Sequence, residues 1–235
     1  MSGSHSHIVI VGGTSGIGLA AARRLAAQSA PVTIIGRDRA RLDQALGGLG
    51  GSVRGEVADA ADRNALDALL GRIGAIQHLI IAASGGAGAG PFGALGADAL
   101  RRGFEAKFWV QWNAAQAALP YMERSGSLTF ITAASSRVAN PGTSGLAAIN
   151  GALERMTPTL ARELAPLRVN AVSPGVIDTP WWADKPAGMF AAASLRAPLG
   201  RAGQADEVAD AIAFLVGNQF VTGVVLDVDG GLHLT

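Results

Sequence analysis

Ile8-Val9-Ile10-Val11-Gly12-Gly13-Thr14-Ser15-Gly16-Ile17-Gly18 (IVIVGGTSGIG) decides how the chain is read. Four β-branched residues in a row suit a strand buried on both faces. The run breaks on Gly12 and Gly13. Two more glycines follow at Gly16 and Gly18, and a helical pattern opens with Leu19-Ala20-Ala21-Ala22. A helix N-terminus carries free N–H groups and a partial positive charge, which suit a pyrophosphate. Glycine is needed where the backbone turns sharply and where phosphates come too close for a Cβ. A glycine-rich turn alone is a weak sign. Strand, turn and helix in this order, followed by further alternation of strands and helices, predict a dinucleotide site at Gly12, Thr14, Ser15, Gly16, Ile17 and Gly18.

The 235 residues suit a single doubly wound α/β domain over 1–235. A chain of this size buries roughly 70–75% of its unfolded surface and needs no covalent staples. The absence of cysteine excludes disulfides and thiolate metal sites and agrees with a reducing cytoplasm, the expected location. A net charge of +1 gives no reason to expect nucleic acid or an anionic membrane as partner. No apolar run approaches the roughly 20 residues of a membrane span. The opening MSGSHSH lacks a signal-peptide core. Residues 1–6 read as a flexible tail, with His5 and His7 solvated, and no metal site is expected.

Farther along, the first helix is expected to end near Ser29-Ala30, before Pro31. Val32–Ile35 reads as the second strand, ending on Gly36-Arg37-Asp38-Arg39. An acid at this strand tip favours a free 2′-hydroxyl on the adenosine ribose; an arginine favours a 2′-phosphate. Asp38 reads as the N-cap of a helix over Arg39–Leu46, so Arg37 points to NADP(H) in preference to NAD(H). Val53–Val57 is a third strand, with Glu56 and Val57 near the adenine edge. Asp59 is expected to cap a helix over Ala60–Arg72. Gln77–Ala82 is a fourth strand, running into the glycine-rich loop Ala83–Gly90. Ala83 and Gly85 lie there on the ligand side of such a fold.

A long helix is expected from Ala97 to Arg124, because Leu100, Phe104, Phe108, Trp112, Ala115 and Leu119 recur at helical spacing. Trp109 and Trp112 read as core or subunit-contact residues. Leu128–Thr132 is a fifth strand, opening into Ala133-Ala134-Ser135-Ser136-Arg137. A helix over Gly145–Ala165 follows, in which Pro158 either makes a kink or sits near a helix start. Leu167–Val172 is a sixth strand and leads into a Ser173–Pro180 turn. Residues 181–198 read as an irregular lid on the substrate side. Asp206–Val216 is helical, and Val224–Val228 is the last strand.

On the segments Gly12–Gly18, Leu119–Met122, Leu160–Pro166, Arg168–Gly175 and Val221–Gly231, the chain resembles the short-chain dehydrogenase/reductase family. The resemblance implies a Rossmann-type domain with a seven-stranded parallel sheet, helices on both faces, NAD(P) binding and a homodimer or homotetramer packed through the long helices. It implies cofactor contacts from Gly12, Ser15, Ile17 and Arg37, and, around the Pro174-Gly175 turn, from Val176 and Thr179. The family's Asn-Asn-Ala-Gly after the fourth strand stands here as Ala82-Ala83-Ser84-Gly85.

The departures fall on the chemistry. The family uses a tyrosine as acid/base, a lysine four residues later, a serine at the end of the fifth strand and an asparagine on the long helix. Alignment puts Leu146, Asn150, Ala133 and Lys107 in those places. The one tyrosine, Tyr121, falls in another element. Lys107 and Asn150 exchange the family's Asn and Lys, which would keep one ammonium in the cavity below the cofactor. Lys107, Asn150 and Ser135 are thus the candidate catalytic residues; the bland alternative for Lys107 is a solvated helix charge. A lysine desolvated beside a cofactor has a depressed pKa and serves as an acid. Three readings follow: an NADP(H)-dependent oxidoreductase with a rebuilt site acting on an unidentified carbonyl or alcohol, an NADP(H)-binding module without turnover, and a lyase or isomerase on the same scaffold. Fold alone does not choose among them.

Overall fold

The computed structural model describes residues 7–28 and 30–235; the expected tail at 1–6, His5 and the helix end at Ser29 lie outside the described residues. Seven strands make one parallel sheet: β1 (Ile8–Val11), β2 (Val32–Gly36), β3 (Val53–Val57), β4 (Ile76–Ile81), β5 (Met122–Ile131), β6 (Arg168–Pro174) and β7 (Val225–Val228), in the order β3-β2-β1-β4-β5-β6-β7. Every pairing is parallel. The order reverses direction between β1 and β4, and the crevice outside their carboxyl ends is where such sheets bind ligands.

Period-2 alternation sorts each strand between two cores. Val9 and Val11 of β1 join Leu79, Ile81, Phe130 and Val169 under the helices α3 (Arg63–Ile73), α5 (Val110–Ala118) and α6 (Ser144–Glu163). Ile8 and Ile10 join Ile34, Ile80 and Val172 under α1 (Gly16–Ala26), α2 (Arg39–Gly47) and α8 (Ala205–Gly217). Ala20, Ala21 and Ala22 are buried, and these small side chains let α1 sit close to the sheet. Among the described residues no helix is long and apolar enough to cross a membrane.

Several expected boundaries are corrected. The first helix stops at Ala26, short of the expected end. The helix after β3 starts at Arg63, capped by Asp62, whose carboxylate accepts from the Ala65 amide at 3.0 Å. Asp59 instead closes a turn on the Ala61 amide at 2.9 Å. The long helix does not run to Arg124. It comprises α4 (Ala97–Gly103), a π-helical segment over Phe104–Trp109 and α5; a 3₁₀ turn over Leu119–Tyr121 then leads into β5 at Met122. Pro158 lies inside α6, on its exposed side. The lid segment is not wholly irregular: it holds a 3₁₀ turn at Pro180–Trp182 and the short helix α7 (Met189–Ser194). His7 is not solvated, since its Nε2 lies 2.9 Å from Thr33 Oγ1 and burial lowers its pKa.

Candidate active site

The glycine turn is built around backbone contacts. A Cβ on Gly12, whose φ is +83°, would lie 2.5 Å from the amide nitrogen of Ala83. A Cβ on Gly18 would strike the Gly12 carbonyl, and one on Gly36 would strike the Thr14 methyl. Gly36, at the tip of β2, is therefore part of this turn, although the glycine spacing gave no sign of it. Ser15 occupies the N-cap of α1 in extended backbone, makes no side-chain bond to the helix, and no acid sits in the first turn. The opening of α1 thus has neither a side-chain cap nor an acidic counter-charge, behind a turn whose packing leaves no room for a Cβ at Gly12 or Gly18.

Other predicted residues close around this cradle. Ala83 abuts Gly12, and Gly85 is held against the Ala106 methyl, 2.5 Å from where its Cβ would stand. Pro174 ends β6; Gly175 turns over Asp229, and Thr179 returns to Gly16, with its Cβ 3.4 Å from a Cβ placed there. Val176 is half-buried beside the small cluster of Ala134, Val138, Ala197 and Leu232. Arg37, Glu56 and Val57 line the tips of β2 and β3, with Gly36 and Val57 in register. Arg37 is exposed and makes no ion pair among the described residues. Asp38 caps α2, accepting from the Arg41 amide at 3.0 Å.

Lys107 is not a solvated charge. It lies on the π-helical segment with 8% of its surface exposed, and its Nζ donates to the Thr132 carbonyl at 3.0 Å. Desolvation brings its pKa down to about 8, against an upward pull from the negative charge of Glu154. One turn on, the fully buried Gln111 donates to the Ile131 carbonyl at 2.9 Å. These two side chains bind consecutive carbonyls at the carboxyl end of β5. The buried Asn150 amide donates to Ser135 Oγ at 3.1 Å and to the Leu146 carbonyl at 2.9 Å, while its Oδ1 has no partner. Ser135 and Asn150 therefore meet, with Ala133 and Leu146 half-buried nearby in sequence. Tyr121 lies elsewhere, its hydroxyl 3.0 Å from where a Cβ on Gly71 of α3 would stand.

The segment after β6 that reads as a lid in the sequence meets the loop after β4. Lys185 Nζ and Trp181 Nε1 lie 3.3 and 3.5 Å from the Cβ position of Gly86. Lys185 stacks over the Trp181 ring at 4.3 Å, and the Trp182 indole donates to the Ile177 carbonyl at 2.9 Å. A cavity of about 370 Å³ opens beside the start of α6, between Phe92 and Val138–Ser144.

Residues 11–233 match a family model described as "Enoyl-(Acyl carrier protein) reductase". The chain belongs to the short-chain dehydrogenase/reductase family. Among its relatives in the family, a putative ketoacyl reductase of the granaticin polyketide synthase from Streptomyces violaceoruber is 33% identical over 96% of this chain and 95% of that protein. A 3-oxoacyl-acyl-carrier-protein reductase of Thermotoga maritima is 41% identical over 127 residues; the chain spans about half the length of that relative (52%). A small-chain dehydrogenase solved in complex with NADPH is 32% identical, with a TM-score of 0.82 over 99% of this chain and 100% of that one. A short-chain dehydrogenase/reductase family protein superposes with a TM-score of 0.88 at 31% identity over all of both chains.

The residues present fit a nicotinamide dinucleotide. The uncapped α1 amides and the Gly12–Gly18 cradle suit its pyrophosphate. The orphaned Asn150 Oδ1 and the Lys107 ammonium suit hydroxyls and oxygens of a ribose or substrate.

Proposed function

We propose that this chain is an NADP(H)-dependent oxidoreductase acting on a carbonyl/alcohol pair. In this reading the Asn-Ser-Tyr-Lys tetrad of the family is replaced by Lys107, Ala133, Leu146 and Asn150. The observation that carries the reading is the buried ammonium of Lys107 at the carboxyl end of β5, one loop away from an uncapped helix terminus. The NADPH complex of a 32% identical relative supports the cofactor. Arg37 supports the phosphorylated form, because it is exposed and unpaired among the described residues while the neighbouring Asp38 is committed to its cap.

The bound cofactor supplies the hydride. Gly12, Thr14, Ser15, Gly16, Ile17 and Gly18 would hold the pyrophosphate, Arg37 the ribose phosphate, and Glu56 and Val57 the adenine side. Ala83, Gly85, Pro174, Gly175, Val176 and Thr179 would hold the nicotinamide half. Lys107 Nζ holds the proton that reaches the carbonyl oxygen, and a pKa near 8 keeps it charged yet acidic enough to give that proton up near neutrality. Asn150 and Ser135 fix the polar wall beside it. The exposed Trp109 and the apolar cavity between Leu100 and Phe104 form the face through which two copies pair.

Fluorescence titration with NADPH, then a panel of carbonyls and alcohols followed at the absorbance of the reduced nicotinamide, tests the reading. Lys107→Met is expected to weaken NADPH binding or to lower turnover at least tenfold. Wild-type affinity together with wild-type turnover in that variant would refute the assignment. The second reading, a binding module without turnover, is favoured by the placement of the one phenol, the half-buried Tyr121, against α3. Tight NADPH binding with no oxidation across the panel would select it.

A further inference from the structure

A second buried charge stands behind Lys107, and nothing in the proposed reaction uses it. Glu154 follows Asn150 by one turn of α6, and only 9% of its side chain is exposed. Its Oε1 accepts from the hydroxyls of Thr132 at 2.8 Å and Ser136 at 2.7 Å. Its Oε2 accepts from Arg137 Nε at 3.3 Å. Thr132 is the shared residue: its carbonyl takes the Lys107 ammonium and its hydroxyl gives to Glu154. The one residue after β5, Thr132, thus links a buried cation on the π-helical segment to a buried anion on α6.

The surrounding charges are few. Glu154 of α6 is the ionisable group acting on Lys107. Arg137, from the turn after β5, faces Glu154, and Asp227 of β7 faces Arg137 at 2.6 Å. Asn150 is neutral. An isolated buried ammonium costs several kcal/mol to desolvate and sheds its proton unless an anion compensates. Arg137 has its own carboxylate in Asp227, so Glu154 has negative charge left to set against Lys107.

We propose that Glu154 is the positioning residue for Lys107, holding its side chain in place and positively charged through the Thr132 that both of them grip. What that charge does in a reaction rests on the oxidoreductase reading; the charge pairing itself does not.

The composition makes this directly measurable, because lysine occurs only at positions 107 and 185. Protein carrying ¹³Cε-lysine gives two side-chain signals, and Lys185→Arg leaves the Lys107 signal alone. The full chain, without cofactor, is titrated in the wild-type, Glu154→Gln and Glu154→Asp backgrounds, with folding checked by circular dichroism. The wild-type midpoint is expected near 8. Glu154→Gln is expected to lower it by about one unit or more. Glu154→Asp, which keeps the charge but draws it back, is expected to fall between. A purely structural role for Glu154 leaves the midpoint where it is. An unmoved midpoint in whichever of the two variants folds overturns the proposal. A lowered midpoint in a protein that never oxidises NADPH would uphold it while refuting the redox reading.

Discussion

Gly12 does more for the crevice than any side chain in it. Its positive φ and its approach to the Ala83 amide admit no Cβ. Gly12→Ala is expected to cost about 1–3 kcal/mol in urea denaturation and to abolish measurable NADPH binding, because the Ala83 backbone must move away. Arg37 is the opposite case. It is exposed and makes no side-chain hydrogen bond or ion pair among the described residues, so Arg37→Ala is expected to leave the urea midpoint unchanged. The same variant should weaken NADPH by roughly tenfold or more, the worth of a charged hydrogen bond, and leave NADH affinity alone. Comparing the two dinucleotides by fluorescence titration checks both halves. At this scale the sequence was unevenly legible. The glycines, Arg37, Lys107, Asn150 and Ser135 stand out by type or by resemblance. Gln111 and Glu154 do not, because a polar residue at helical spacing looks alike whether it faces water or a strand end.

Elements were more legible than their ends. β1, β2 and most of β4 announce themselves as short apolar runs, and Val53–Val57, although it carries Arg54 and Glu56, falls within its expected bounds. The start of α3 was misplaced: Asp59 reads as its cap, but Asp62 is the carboxylate that meets a free helix amide. The π-helical segment over Phe104–Trp109 had no signature in the sequence. Gly103, just ahead of it, is tightly packed. A Cβ on Gly103 would lie 2.7 Å from the Ile149 methyl and 2.8 Å from the Ala87 carbonyl. Gly103→Ala is therefore expected to destabilise the chain by about 1–3 kcal/mol and to displace the segment that carries Lys107. The exposed Arg24–Asp210 pair between α1 and α8, although 2.6 Å long, should contribute under about 1 kcal/mol, so Asp210→Asn is expected to be near neutral in the same denaturation assay.

Taken whole, the molecule's stability carries a pH dependence set inside the sheet. His78 of β4 is buried, with its Nδ1 2.8 Å from Ser127 Oγ, and desolvation lowers its pKa from 6.5 to about 4. The neutral form is the one that folds. The stability it contributes is complete above pH 6.5 and is lost as the pH falls toward 4, amounting to up to about 3 kcal/mol. His78→Gln, which keeps a hydrogen-bonding partner for Ser127, is expected to flatten that acid decline in urea midpoints measured between pH 7 and pH 4.5. Ligand linkage acts on the whole fold as well. NADPH at about 100 times its Kd should add about 2.7 kcal/mol, raising the melting temperature by roughly 5–10 °C; NADH at the same concentration should raise it less.

One short stretch reaches from Thr179, over the glycine turn, to Lys185, over Gly86. Both of these contacts are made by the same few residues. If a guest in the crevice must lift the stretch to leave, departure rather than bond-making would set the tempo of a catalytic cycle. That tempo would slow in proportion to added viscogen such as sucrose, and a deuterated hydride donor would change it little.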